Sequence, residues 1–503
     1  MTLTPTLEDF AAGHAAGENQ IVYTRLAADL DTPVSLMLKL TGAAENAFVL
    51  ESVTGGEVRG RYSIIGMKPD LIWRCRGDVS AINRAARYDA DAFEDMPGDP
   101  LDVLRTVIAE SRITLPDDLP QAAAGLFGYL GYDMVRLVEH LPDVNPDPLG
   151  LPDAVMVRPS VIAVLDGVKG EVTVVSPAWV SDGQSARAAY AQAAERVMDA
   201  VRDLERPMPA TSRDLGDASE APAPVSNFTR DAYKAAVEKA RDYITAGDIF
   251  QVVPSQRWAQ GFTQAPFALY RSLRRTNPSP FMFYFNFGGF HVVGASPEIL
   301  VRVFGNEVTI RPVAGTRPRG ATAEEDRALE ADLLLDEKEL AEHLMLLDLG
   351  RNDVGRVARI GTVRPTEEFT VERYSHVMHI VSNVVGELKD GCDALDAFFA
   401  GMPAGTVSGA PKVRAMEIID ELEPEKRGLY GGGVGYFSAG GDMDMCIALR
   451  TAVIKDETLY IQAGGGVVYD SDAEAEYMET VHKSNAIRLA AADAARFDGQ
   501  GNR

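Results

Sequence analysis

The stretch YGGGVGYFSAGGDMDMCIALRTAVIKDETLYIQAGGG, from Tyr430 to Gly466, reads as β-strands punctuated by the turns AGGD and KDET. Connections this short force antiparallel pairing, because a parallel crossover takes a dozen or more residues. Upstream, FMFYFNFGGFHVV (281–293) has the form of two strands around a glycine turn, and ILVRVFGNEVTIRP (299–312) that of a hairpin turning at Gly305 and Asn306. IFQVVPSQRW (249–258) reads as a strand. Helices are grouped apart from these strands. Thr229 is placed as an N-cap before Tyr233, Val237, Ala240 and Ile244 at helical spacing, with Gly247 as the stop. Long helices are expected between about Ala323 and Ala358, and an acidic helix closes the chain. Because helices and strands do not alternate strictly, the class is α+β: largely antiparallel sheets with helices packed outside.

The 503 residues are 46% hydrophobic and 24% charged, ordinary values for a globular protein with a large core. The 74 acidic residues outnumber the 49 basic ones, for a net charge of −25, which argues against nucleic acid or an anionic membrane as the main partner. Three scattered cysteines, Cys75, Cys392 and Cys446, form neither a disulfide framework nor a cysteine zinc site. With no signal-like N-terminus and no long apolar run, a cytoplasmic location is expected. ERPMPATSRDLGDASEAPAPVS (205–226) is rich in Pro, Ala, Ser and Asp without periodicity, a linker signature. The expected division is residues 1–205, a linker at 206–226, and a second unit at 227–495.

In DEKELAEHLMLLDLGRND, Glu339 and Glu342 lie three apart on a helix that is apolar nearly all round. Asp336 and Glu339 also match the spacing of a capping box, so a local role stays open. Glu476, Glu479 and Lys483 share one face of the final helix, where an exposed Glu479–Lys483 pair is the plain alternative. One carboxylate from each helix would suit Mg²⁺, an oxygen-seeking ion that keeps waters and substrate oxygens in its other positions. Arg450 is read as projecting from a strand face of small side chains, available to hold a carboxylate, with a structural ion pair as the alternative. PAGTVSGAPK (403–412) lacks the order of a phosphate loop, and either a structural turn or a substrate contact through Thr406 fits it. His376 and His379 read by default as hydrogen-bonded core histidines.

These segments, with RPVAGTRPRG (311–320), YSHVMHIVS (374–382), GLYGGGVGY (428–436), IALRT (447–451) and AGGGVVYDSDAEAEYMETVHKSNA (463–486), occur in an order that resembles the chorismate-utilising enzymes, in particular their anthranilate-forming members. The resemblance implies Mg²⁺-dependent amination of chorismate at ring carbon 2 with loss of the 4-hydroxyl, then elimination of pyruvate. Carried over, Glu342 and Glu479 would hold Mg²⁺, and backbone N–H groups of Gly464, Gly465 and Gly466 would meet the ring carboxylate. Tyr430 and Arg450 would clamp the side-chain carboxylate. Glu339 would be the general acid, His379 would assist pyruvate loss, and Thr406, Glu476 and Lys483 would line the site. Water-adding relatives carry lysine where this chain has Gln251, and aminodeoxychorismate synthases carry lysine where it has Ala314.

FVLES (48–52), GRYSIIG (60–66) and NPSPFMFYF (277–285) resemble the segments of a tryptophan feedback pocket, which would place Leu50, Ser52, Asn277, Pro278 and Met282 against tryptophan. Residues 1–205 would then be regulatory and 227–495 catalytic. No cysteine sits in a glutaminase-like G-x-C-x-G context, so a separate glutamine amidotransferase partner is implied, as in a heterotetramer, with ammonia as the transferred nucleophile. The competing readings are aminodeoxychorismate synthase chemistry and a non-catalytic tryptophan sensor.

Overall fold

The computed structural model describes residues 2–42, 44–52, 60–181, 183–208, 223–374 and 377–497. His376 and most of the expected linker therefore lie outside the described residues. Among the described residues, 21 strands form one connected network. Its core is a pair of antiparallel arms. One arm runs Ser255–Gly261, Thr458–Gly464, Thr451–Lys455, His291–Ser296 and Phe281–Asn286. The other runs Gly433–Ser438, Met443–Ile447, Ile299–Phe304, Glu307–Ile310 and Val377–Glu387.

Strands from before the linker join the arms. Ala47–Glu51 pairs with Phe281–Asn286 on one side and Tyr62–Arg76 on the other. Tyr62–Arg76 pairs with Ala154–Asp166, which pairs with Gly125–Leu130, and that strand pairs with Gly433–Ser438. Backbone hydrogen bonding thus crosses the division drawn at 206–226.

The arms face each other across an apolar layer that includes Phe48, Phe127, Phe283, Phe285, Val434 and Ala448. Phe48 stacks on Phe127 at 4.7 Å and on Phe285 at 5.2 Å, distances at which aromatic pairs add to simple burial. Helices cover the outer faces: Pro266–Thr276 and Ala473–Asp493 on one side, Glu337–Val357 and Ala394–Gly401 on the other. This is the expected α+β arrangement. No described helix is long and apolar enough to cross a membrane.

Local signals explain most elements. Thr229 caps Arg230–Ala246 by accepting from the Ala232 N–H, and Gly247 ends it at φ +84°. Gly305 and Asn306 turn the hairpin at φ +53° and +73°. Two expectations change. IFQVVPSQRW is interrupted: Gln251–Val252 pairs with Gly409–Ala410, and a new strand starts at Ser255. Pro254 has no N–H to give a ladder, so the break falls beside it. Arg450 does not lie within a strand but in the connection between Met443–Ile447 and Thr451–Lys455, at φ +48°.

That connection matters because it crosses from one arm to the other. The Pro297–Glu298 connection between His291–Ser296 and Ile299–Phe304 makes the same crossing. The two are tied together: Ile447 N–H donates to the Glu298 carbonyl at 3.0 Å, and Ala295 N–H to the Arg450 carbonyl at 3.1 Å. Topology therefore sets a carboxylate and a guanidinium side by side where the arms part.

Candidate active site

Arg450 is half-buried, and among the described residues no hydrogen bond or ion pair engages its guanidinium. Its left-handed backbone is unfavourable for a branched-free but bulky side chain and is the kind of strain that concentrates at functional sites. Burial lowers its proton affinity against the pull of Glu298, Tyr430 and Glu479. Glu298 accepts from the Thr406 hydroxyl at 3.0 Å. Burial pushes its carboxyl above the ordinary range, opposed by that hydrogen bond and by the charges of Lys483 and Arg450.

The three glycines close the site by letting neighbours approach. A Cβ at Gly464 would stand 3.0 Å from the Tyr430 hydroxyl, one at Gly465 3.0 Å from Glu476 Oε2, and one at Gly466 2.8 Å from Gln251 Nε2. Their N–H groups are not equivalent. The Gly464 N–H faces the Tyr430 oxygen, and the Gly465 N–H donates to the Pro254 carbonyl at 3.2 Å. Only the Gly466 N–H has no partner among the described residues. The Tyr430 side chain thus takes the first glycine's N–H, and the backbone pairing of Thr458–Gly464 with Ser255–Gly261, carried one residue further to Pro254, takes the second.

On the final helix, Lys483 reaches the Gly464 carbonyl at 3.0 Å and Glu479 at 2.7 Å, so the plain ion pair is present. Glu476 Oε1 accepts from Ser471, while Oε2 is buried without a partner. Burial, with the charge of Glu479 adding, raises its pKa to about 7. On the facing helix, Asp336 caps the N-terminus by accepting from Lys338 and Glu339 N–H groups, but Glu339 does not complete a capping box. Arg317 instead joins Asp332, Asp336 and Glu339. Glu342 Oε1 accepts from Gln251 Nε2 at 2.9 Å, and Gln251 Oε1 is buried and unpartnered.

A divalent cation fits this donor set. Glu342 and Glu476 each have one oxygen engaged by a protein donor, Glu479 pairs with Lys483, and Glu476 Oε2 and Gln251 Oε1 have no partner among the described residues, all of them oxygen donors of the kind such an ion takes. Among the described residues no three His, Cys, Asp or Glu side chains converge on one metal-sized position.

His379 Nδ1 lies 3.0 Å from the Gly315 carbonyl, and burial lowers its proton affinity, leaving a neutral imidazole. Behind the site, Arg427 and Glu423 form a fully buried pair; Arg427 also donates to the Val407 and Val253 carbonyls, both at 2.6 Å. A cavity of about 380 Å³ opens between the arms, with Glu298 in its wall. Leu50, Ser52 and Met282 line it, as do Pro280 and Phe281; Asn277 and Pro278 do not. Asn277 ends the helix Pro266–Thr276 as its C-cap, one turn short of the cavity-lining strand.

Sequence reading passed over Glu298, Glu423 and Arg427. An acid in a two-residue link between apolar strands was the available signal for Glu298. The ion pair gave none, since i,i+4 charges are common on surfaces.

The chain matches the chorismate binding enzyme family over residues 65–488. It is 76% identical over 492 residues to anthranilate synthase component 1 of Cereibacter sphaeroides, covering 98% of each chain. It resembles the crystal structure of anthranilate synthase component I from Streptococcus pneumoniae TIGR4 with a TM-score of 0.77 and 38% identity, over 92% of this chain and 99% of that one. The menaquinone-specific isochorismate synthase of Escherichia coli shares the fold at a TM-score of 0.67 and 19% identity, over 97% and 99% of the two chains. The chain belongs to the chorismate binding enzyme family, and the resemblance to its anthranilate-forming members stands.

Proposed function

We propose that the chain converts chorismate and ammonia to anthranilate, pyruvate and water, with a partner glutamine amidotransferase supplying the ammonia in a hetero-oligomer such as a heterotetramer. The observation that carries this reading is Arg450: a guanidinium on a strained crossover, with no partner among the described residues, opposite Tyr430 and Glu298. A dianionic substrate supplies what that cation lacks. Tyr430 and Arg450 hold the side-chain carboxylate, and the Gly466 N–H faces the ring carboxylate. Positioning at two ends lowers the entropic cost of attack.

Glu342 and Glu479, with Glu476 beside them, would hold Mg²⁺. When bound there the ion would supply positive charge against the ring carboxylate and withdraw electrons from the ring. Nitrogen bonds to ring carbon 2 as both conjugated ring double bonds shift along the ring and the bond from carbon 4 to oxygen breaks. Glu298, whose carboxyl burial holds above the ordinary range, gives a proton to that oxygen, which leaves as water, and the newly bound ammonium nitrogen returns one; this is the role expected of Glu339. Thr406 orients Glu298. Glu339 and Lys483 set the charge around the carboxylates. Neutral His379 then takes the ring proton as the enolpyruvyl ether cleaves, and the released enol gains a proton to become pyruvate.

Residues 1–205 form the regulatory part in this reading, and tryptophan occupies the cavity bounded by Leu50, Ser52 and Met282. Ser52→Phe is expected to raise the tryptophan concentration for half-inhibition at least ten-fold while leaving the uninhibited rate unchanged. This reading places the chain in the cytoplasm. The deciding experiment is incubation with chorismate, ammonium and Mg²⁺, with and without chelator. Fluorescent anthranilate that vanishes with chelator supports the reading; aminodeoxychorismate as product, or chelator-insensitive turnover, overturns it. Tryptophan binding with no turnover would make the chain a sensor.

A further inference from the structure

We infer that Tyr132, which precedes the linker, is a positioning residue for substrate binding: through Arg427 it sets the ring of Tyr430. The inference rests on the reading of Tyr430 as a substrate-binding group. Tyr132 starts the short helical turn Tyr132–Leu137, and its N–H donates to the Gly428 carbonyl at 2.7 Å. Its ring lies 4.8 Å from the Arg427 guanidinium carbon, and the Tyr430 ring lies 5.5 Å from that same carbon. One cation thus bridges two aromatic faces that come from opposite sides of the linker.

The turn is braced at both ends of the segment that delivers Tyr430. Asp133 accepts from the Gly428 N–H at 2.8 Å, and Arg136 joins Asp133 at 3.0 Å to Asp420 at 2.6 Å, next to the end of the helix Lys412–Leu422. Arg427 also donates to Glu423, Val407 and Val253, and the Tyr132 ring packed on its guanidinium is the further contact that fixes the plane against which the Tyr430 ring rests. Tyr430 is buried, with its oxygen met by the Gly464 N–H, and its ring rests on that guanidinium. The Tyr132 hydroxyl is buried and makes no hydrogen bond among the described residues. The ring face, and not the phenol, is therefore what this position supplies.

Steady-state kinetics on the full chain, with saturating ammonium and Mg²⁺ and varied chorismate, test this. Tyr132→Phe keeps the face and is expected to leave the KM for chorismate within two-fold of wild type. Tyr132→Leu removes it and is expected to raise KM about ten-fold, the scale of a desolvated cation–π contact, with kcat within three-fold. Placed on Tyr430→Phe, itself expected to raise KM, Tyr132→Leu should add less than two-fold. An unchanged KM in Tyr132→Leu, or effects that multiply in the double variant, would overturn the inference. If Tyr132→Leu does not fold, Tyr132→Met carries the same expectation, and failure of both to fold makes Tyr132 a fold-holding residue and equally overturns it. A wild-type KM in Tyr430→Phe would instead remove the reading of Tyr430 on which all this stands.

Discussion

Two clusters of charge flank the Tyr430–Gly464 corner, and they obey opposite rules. In the Arg427–Glu423 cluster every charged atom is spent: Nε and Nη2 on Glu423, Nη1 and Nη2 on two carbonyls, and Glu423 Oε1 on Ser255. In the cluster of Arg450, Glu476 and Gln251, a guanidinium, a carboxylate oxygen and an amide oxygen have no partner among the described residues. Leaving such groups unmade is costly, and a fold keeps them only where something else will complete them. The filled cluster holds the wall in place, and the unfilled one is the place a ligand enters.

The sharpest way to break this contrast is to delete one cation from each cluster. Arg427→Ala strands Glu423 in the interior and is expected to cost about 3–5 kcal/mol of unfolding free energy in urea titration. Arg450→Ala strands no partner. It is expected to leave stability within about 1 kcal/mol while lowering kcat/KM for chorismate by about 10²–10³. Equal destabilisation by both would dissolve the distinction.

The next effect separates the two acids that compete for one role. Glu298→Gln is expected to lower kcat by about 10² with little change in KM, as for loss of a proton donor. Glu339→Gln, in a carboxylate already tied to Arg317, is expected to cost less than about ten-fold. The reverse order would return the role to Glu339.

What sequence disclosed follows from the range of the forces involved. Hairpins, caps and the two acid-bearing helices rest on neighbours a few residues apart, so turns such as Gly305–Asn306 were legible. The paired crossovers were not, because nothing local says that residues 297–298 and 448–450 change arms together. Alternation through IALRT even argued for an unbroken strand. Likewise the motif glycines were readable as close-approach positions, but which N–H groups the ladder had already taken depended on pairing 200 residues away.

The smallest effect concerns Glu476 in the metal-free protein. Its pKa is about 7 in the fold against 4.5 for the ordinary side chain. Between those values the folded state binds more protons than the unfolded one, so stability falls as pH rises through that window. The neutral carboxyl is tolerated beside the unpartnered oxygen, and the charged one is not. With chelator present, wild type is therefore expected to lose about 1–2 kcal/mol, relative to Glu476→Gln, between pH 5 and pH 7, once solvent screening is allowed for. The two proteins should be most alike near pH 4, where Glu476 is neutral in both states. Mg²⁺ should flatten the wild-type curve and leave the slope of the variant's unchanged. Parallel curves across the window would mean that the orphaned oxygen costs nothing when charged, and the unfilled cluster would then be no different in kind from the filled one.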